Sequence, residues 1–287
     1  MKRLLILLML SAAFLSCHRA SSSPPPEFTQ WREKRLANLT KEDGWLTLVG
    51  LDWLKEGPNE ISIPSKPPAV IHATLVSGKV TLEPSPSLMI DGKPLAGPTV
   101  LRNDADPQGP TIVQLGTIRF YAIKRNDRYG FRVRDLASDA RTKFAGLDYF
   151  PYDPNYRLEA KWVPYDPPHA IPITNVLGMT SSETAPGRLV FTIDGKEYSV
   201  EPILEQGESD LFIIFRDQTA GKETYGAARY LYASPPGPDG KVVVDFNKAY
   251  NPPCAFTPFA TCPLPPAQNK LPIRIEAGEK KYAGGHA

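Results

Sequence analysis

Apolar and polar positions alternate in several periods along the chain. Phe28, Trp31, Arg35 and Leu39 fall at helical spacing with charged residues between them, so one amphipathic helix opens the folded part, with Gly44 as its stop. The run from Trp45 to Leu54 is rich in aromatic and branched residues and reads as a buried strand or tight strand pair. From Gly57 to about Ala137 short apolar runs alternate with turn signals. Ser77-Gly78-Lys79, Asp91-Gly92-Lys93, Asp194-Gly195-Lys196 and Asp239-Gly240-Lys241 repeat one pattern. Because Asp-Gly supplies the positive φ of a two-residue hairpin, at least two of these four sites are expected to be hairpins. In Tyr129 to Asp135, Phe131 and Val133 face inward while Arg132 and Arg134 face outward, the mark of a strand with one wet face.

Further on, Asp148 to Arg157 carries two prolines and four aromatics and reads as a strap between two parts of the chain. Gly187 to Pro202 forms a hairpin about Asp194-Gly195, and Asp210 to Phe215 is a central strand by its unbroken apolar run. The stretch from Lys241 to Glu279 begins as a strand and continues with Pro, Asn, Cys and aromatic residues in no repeating period. Its apolar anchors Phe246, Tyr250, Phe256, Phe259 and Leu264 argue for an ordered loop stiffened by proline rather than a disordered tract. The expected fold is mainly β: an N-terminal amphipathic helix, a β-sandwich over 57–140, and a second β-rich region over 141–287 with a long Pro-rich loop. Residues 27–56 lead into the sandwich.

Composition agrees with short strands and structured loops, since 41% of the 287 residues are hydrophobic and the chain holds 31 Pro and 21 Gly. The first residues change the picture more. Met1-Lys2-Arg3 precedes an apolar run too short for a convincing membrane span, the arrangement of an export signal over 1–16. It ends Phe14-Leu15-Ser16-Cys17, which resembles a bacterial lipoprotein box with Cys17 as the lipidated residue, although Leu15 stands where a small residue is usual. Ordinary secretion is the alternative. Residues 17–26, Ser-rich and then Pro-rich, suit a tether. The expected location is the cell envelope, lipid-anchored on a periplasmic or outer-membrane face, with membrane contact through the lipid alone.

Removal of residues 1–16 takes Lys2 and Arg3 away and leaves 31 basic against 31 acidic residues. A near-neutral mature chain gives no field for nucleic acid. Export makes a disulfide the expectation for Cys254 and Cys262, with free thiols or a metal pair as alternatives; the four histidines offer no close ligand spacing, so neither a metal nor a cofactor is expected.

Polar residues at the ends of two strands mark the candidate site. Asp217, Thr219, Thr224, Tyr225 and Arg229 lie in one segment, Asp245, Asn247, Tyr250 and Asn251 in the other, and Arg157 falls in the strap. The expectation is a cleft between 216–230 and 245–254 that binds a small polar ligand through Arg157, Asp217, Thr219, Tyr225, Arg229, Asp245, Asn247, Tyr250 and Asn251. Two further readings stay open: a metal-independent hydrolase using Asp217 or Asp245 as general acid or base, and a scaffold of the envelope. The sequence holds no Gly-x-Ser-x-Gly elbow and no histidine near either segment. Against all of these, Asp217 and Asp245 could pair with Arg229 and Arg157 as buried structural ions.

Two resemblances add to this. Ile61-Ser62-Ile63, Ile71 to Leu75, Met89-Ile90-Asp91-Gly92 and Leu115-Gly116-Thr117-Ile118 resemble strands of a forkhead-associated β-sandwich. The departures tell against a phosphopeptide ligand: Ala69 stands for the phosphothreonine-binding serine and Asp91 for the asparagine, and no Gly-Arg precedes the first strand. Gly44 to Leu54, Arg128-Tyr129-Gly130, Phe150 to Arg157, Phe215 to Gly221 and Asp245 to Cys254 together resemble the DUF1684 family of bacterial and archaeal proteins. That resemblance spans nearly all the mature chain and implies that both halves form one unit; it implies no particular chemistry.

Overall fold

Two-residue turns set the strand order of the first half. In this computed structural model, which describes residues 23–205 and 207–284, Ser77, Asp91, Asn126 and Asp194 adopt positive φ, and all but Asn126 are followed by a glycine that does so too. Three of the four X-Gly-Lys sites are hairpins. The fourth, Asp239-Gly240, instead leads into the strand Lys241–Asp245, whose ladder partner is the strand Arg157–Thr174 and not the strand before it. Cys17 and the export signal lie outside the described residues, and no helix among those described is long and apolar enough to cross a membrane.

Helix α1 (Pro26–Thr40) packs with Phe28 and Leu39 buried and Trp31 and Arg35 half-buried, the four positions of its expected inner face. A single 3-10 turn, Trp45–Thr47, precedes the first strand. The next ten strands are β1 (Leu48–Trp53), β2 (Gly57–Ile63), β3 (Ala69–Val76), β4 (Lys79–Leu82), β5 (Ser85–Ile90), β6 (Lys93–Leu95), β7 (Thr99–Leu101), β8 (Val113–Leu115), β9 (Ile118–Arg125) and β10 (Arg128–Asp135). They form a six-stranded sheet, β1-β10-β9-β8-β5-β6, and a four-stranded sheet, β2-β3-β4-β7. Alternation along these strands turns Ile61, Ile63, Ile71, Ala73, Val80 and Leu82 of the small sheet toward Phe120, Phe131 and Val133 of the large one. Phe120 and Phe131 meet edge to face at 5.5 Å. The expected sandwich is therefore present, and β1 serves as an edge strand of it.

The second half contains β11 (Arg157–Thr174), β12 (Thr180–Ile193), β13 (Lys196–Val200), β14 (Ile203–Leu204), β15 (Leu211–Phe215), β16 (Arg229–Ala233) and β17 (Lys241–Asp245). One antiparallel sheet runs β16-β15-β14-β12-β11-β17, with β13 on β12. Every residue of β15 is buried because both of its faces are covered. Leu211, Ile213 and Phe215 join one cluster with Phe191 and Phe246, and Phe212 and Ile214 join another with Leu48, Cys254 and Cys262.

After β17 the described residues make no further strand, yet hydrogen bonds fix the segment along its course. Leu271 N donates to Arg216 O at 2.7 Å, Gln218 N to Ile273 O at 2.8 Å and Phe150 N to Gly278 O at 3.0 Å. Asn269 Nδ2 donates to the carbonyls of Glu201 and Ile214, both at 2.9 Å. Buried backbone groups that a strand ladder would satisfy are satisfied here by side chains and single bridges. The segment also ties the halves together: Thr257 Oγ1 donates to Leu48 O at 2.9 Å, and Ala255 and Phe256 pack on Leu39 and Leu46.

One expectation is corrected by this packing. The outer face of β10 is not wet: Arg132 and Arg134 are buried, at 6% and 8% exposure. The phase of the alternation is the expected one, but Trp45 covers the outer face, its ring 5.3 Å and 5.5 Å from the two guanidinium carbons.

Candidate functional site

The polar residues after β15 form a clamp, not an open cleft. Asp217 and Arg229 are paired at 3.0 Å with side chains 1% exposed each. Asp217 also accepts from Ile275 N at 2.7 Å and from Thr219 Oγ1 at 2.9 Å, and the Thr219 hydroxyl meets that of Thr224 at 2.8 Å. Arg229 donates to the carbonyls of Ala277 at 2.5 Å and Ile275 at 3.0 Å and lies over the Phe215 ring. Burial pushes the Arg229 guanidinium below its usual range, against the pull of Asp217. Asp217 and Arg229 are directed at the extended segment 275–277, which they fasten to the end of β15, and the two threonines buttress the carboxylate.

Asp245 belongs to a separate network. Its carboxylate accepts from Asn247 N at 3.1 Å and Asn247 Nδ2 at 3.0 Å, and Asn247 exchanges hydrogen bonds with the backbone of Asp153. Arg157 faces Asp245 only as its ladder partner, with an exposed side chain. Asn251 donates through Nδ2 to Lys280 O at 2.8 Å, and its backbone N–H is held by Glu279 Oε2 at 2.8 Å. Tyr225 donates to Cys254 O at 3.1 Å, and burial pushes its phenol up to about 12. These partners leave Asp217 and Asp245 with structural duties, as the buried-ion alternative anticipates for Asp217 and Arg229.

The expected disulfide is absent. Cys254 and Cys262 are buried free thiols in direct contact: Cys254 N donates to Cys262 Sγ at 3.1 Å, and Cys254 Sγ donates to Ala260 O at 3.5 Å. The tight turn between them is closed by these hydrogen bonds without a covalent bridge. Burial and the neighbouring sulfur drive the Cys262 thiol far above its usual range, whereas the Cys262 hydrogen bond lowers Cys254, with a smaller contribution from Arg132. Among the described residues no group of three His, Cys, Asp or Glu side chains could hold a metal ion.

The large cavity lies on the other side of β16. It measures about 960 Å³ and sits where α1, the outer face of β10 and the β15–β16 pair meet. Trp45, Phe212, Tyr230, Tyr232 and Tyr250 line it, as do Arg35, Arg132 and Arg134. Tyr230 Oη donates to Pro263 O at 2.9 Å and Tyr232 Oη to Glu205 Oε2 at 2.5 Å, so both rings are fixed in orientation. Burial raises the phenols of Tyr230, Tyr232 and Tyr250 above their usual range. Of the nine residues expected to touch a ligand, Tyr250 alone lines this cavity. The others were singled out for polarity at strand ends, which buried clamps share with binding sites. The signal for the cavity was the Arg-x-Arg alternation of β10 beside Trp45.

The family model described as "Protein of unknown function (DUF1684)" matches residues 142–280, which span β11 to β17 and the clamped C-terminal segment. No curated protein matches the chain. Among solved structures, the chain is similar to the solution NMR structure of an uncharacterized protein of Haloarcula marismortui, at 32% identity over 50% of this chain and 80% of that one, with a TM-score of 0.43. With the family's model laid over the whole second sheet and its clamp, this chain belongs to the DUF1684 family.

Proposed function

We propose that this protein binds a small polar ligand in the cavity between α1, β10 and β16. The observation that carries the reading is the cavity itself: about 960 Å³ lined by fixed aromatic rings with a few convergent polar groups, the usual make-up of a small-molecule site. The hydrolase reading has less support, since Asp217 and Asp245 are both engaged by structural partners outside this cavity. Dialysis of the purified protein against a defined mixture of sugars, amino acids, organic acids and nucleosides, followed by mass spectrometry of what is retained, tests it. Wild type should enrich one chemical class, and Thr261→Trp, which places a large ring at the cavity wall, should not. Equal retention by both proteins would remove the reading.

The envelope location is part of the same proposal and rests on the sequence around Cys17. A lipid-anchored chain would present the cavity outside the cytoplasm. Cys17→Ser should release the protein from the membrane fraction, and an unchanged fractionation would count against lipidation.

A further inference from the structure

Among the described residues Arg132 has no hydrogen-bond or ion-pair partner; its guanidinium lies over the Trp45 ring. As a residue it is only 6% exposed, its Nε is buried without a hydrogen bond, and no carboxylate among the described residues pairs with it. A buried charge is ordinarily paired, because desolvating it alone costs several kcal/mol. Of the other cations lining the cavity, Arg35 pairs with Glu279 at 2.8 Å, Arg125 with Asp104 at 2.8 Å and Lys41 with Asp43 at 3.4 Å, while Lys34 and Lys124 are exposed to solvent. Arg134, beside Arg132, donates only to neutral acceptors, Gly44 O at 2.6 Å and Thr47 Oγ1 at 3.1 Å. The carboxylates of Glu183 and Glu205, also in the cavity lining, accept from Ser181 at 2.6 Å and from Tyr232, and neither pairs with Arg132. Cys254 feels the charge of Arg132 but bonds to Ala260 O rather than to the guanidinium.

Two cations therefore lie side by side on β10, flanking Trp45, with no anion between them. From this geometry we propose that the Arg132–Arg134 pair is an oxyanion subsite, and that the ligand of this cavity carries a carboxylate or phosphate attached to a ring or other flat body. The planar fork of an arginine matches both groups in two-point contact. Trp45 and the tyrosines supply faces on which the flat body lies. The inference rests on the cavity being a ligand site and adds the chemical class.

Phenyl phosphate, benzoate and neutral benzamide are the probes, titrated calorimetrically at low salt into wild type, Arg132→Met and Arg132→Lys. Wild type should bind phenyl phosphate or benzoate at least about tenfold tighter than benzamide, and which of the two binds identifies the acid. Arg132→Met should lose about 10- to 100-fold in affinity for that acid, the range expected for one hydrogen bond to a charged group. Its unliganded melting temperature should equal or exceed that of wild type, because a buried unpaired charge has been removed. Arg132→Lys, which keeps the charge without the fork, should fall between. Equal binding of benzoate and benzamide, or unchanged acid affinity in Arg132→Met, overturns the subsite and leaves the cavity reading standing. Failure of all three probes to bind at millimolar concentration also overturns the subsite, whereas the cavity reading stands or falls on retention in the dialysis test.

Discussion

Arg35 on α1 and Glu279 near the other end of the chain form a salt bridge at 2.8 Å across 244 residues, with the carboxylate wholly buried. Around it the two ends of the fold are knitted together. Arg35 also donates to Asn251 O at 3.0 Å and lies over the Tyr250 ring at 4.7 Å, and Glu279 accepts from Asn251 N at 2.8 Å. Because Arg35 and Tyr250 both line the cavity, this pair holds its α1 wall in place.

Breaking one partner of a buried pair leaves the other charge uncompensated and costs about 3–5 kcal/mol. Glu279→Gln should therefore lower the melting temperature by on the order of 10 °C for a chain of this size, and α1 should become the first segment cut in limited proteolysis. A change within about 2 °C with α1 still protected would show that the bridge does not anchor the helix.

The Asp217–Arg229 clamp makes an opposite demand on the two proposals for this region. Asp217→Asn turns one of the two oxygens that accept from Ile275 N, Thr219 and Arg229 into a donor and leaves Arg229 without its counter-charge, so the expected loss is about 3 kcal/mol or more. Retention of dialysed ligand should persist wherever the variant is folded, since neither residue lines the cavity. A variant of wild-type stability that had lost ligand would return Asp217 to the site.

How legible this was in the sequence can be followed residue by residue. Helix α1, three hairpins, the sandwich and the buried β15 were readable because each is set by local signals: a helical period, positive-φ turn pairs, alternation and an unbroken apolar run. Burial of Arg132 and Arg134 was not. It depends on Trp45 folding over β10 from more than eighty residues away, a tertiary fact without local trace. Likewise Asp217 and Arg229 were correctly seen as possible partners, but their target, the carbonyls and N–H groups of 275–277, lies in a segment with no period to reveal where it runs.

Free thiols at Cys254 and Cys262 have a direct consequence. Both are buried, and the Cys262 thiol lies far above the usual range, so alkylation of Cys262 by iodoacetamide should be slow in the native protein up to about pH 9, where an ordinary thiol of pKa near 8.5 already reacts fast, while Cys254, whose thiol is lowered, is shielded by its burial alone. On unfolding without reductant, both should be modified, as read by peptide mass spectrometry. Recovery of a crosslinked peptide containing both residues would instead show a bridge in the purified protein.

Gly278 bears the strictest backbone requirement of the clamped segment. It adopts φ +80°, and a Cβ there would meet Ala249 O, Ala249 Cβ at 2.9 Å and Phe246 O at 2.9 Å. Those oxygens cannot easily give way, since Phe246 O accepts from Ala249 N at 3.0 Å and Ala249 O from Glu279 N at 2.8 Å. Gly278→Ala therefore combines left-handed backbone strain with overpacking, about 2–5 kcal/mol in total. Gly92, at φ +73° with nothing within 4 Å of its would-be Cβ, carries the strain alone, so Gly92→Ala should cost only about 1–2 kcal/mol. Urea unfolding with an unchanged m-value should give the larger midpoint shift to Gly278→Ala. Relief of the clash would move the adjoining Glu279 away from Arg35, so this variant, unlike Gly92→Ala, should also weaken retention of ligand in the cavity. Equal midpoints for the two would mean that the segment yields at Gly278 without disturbing the bridge.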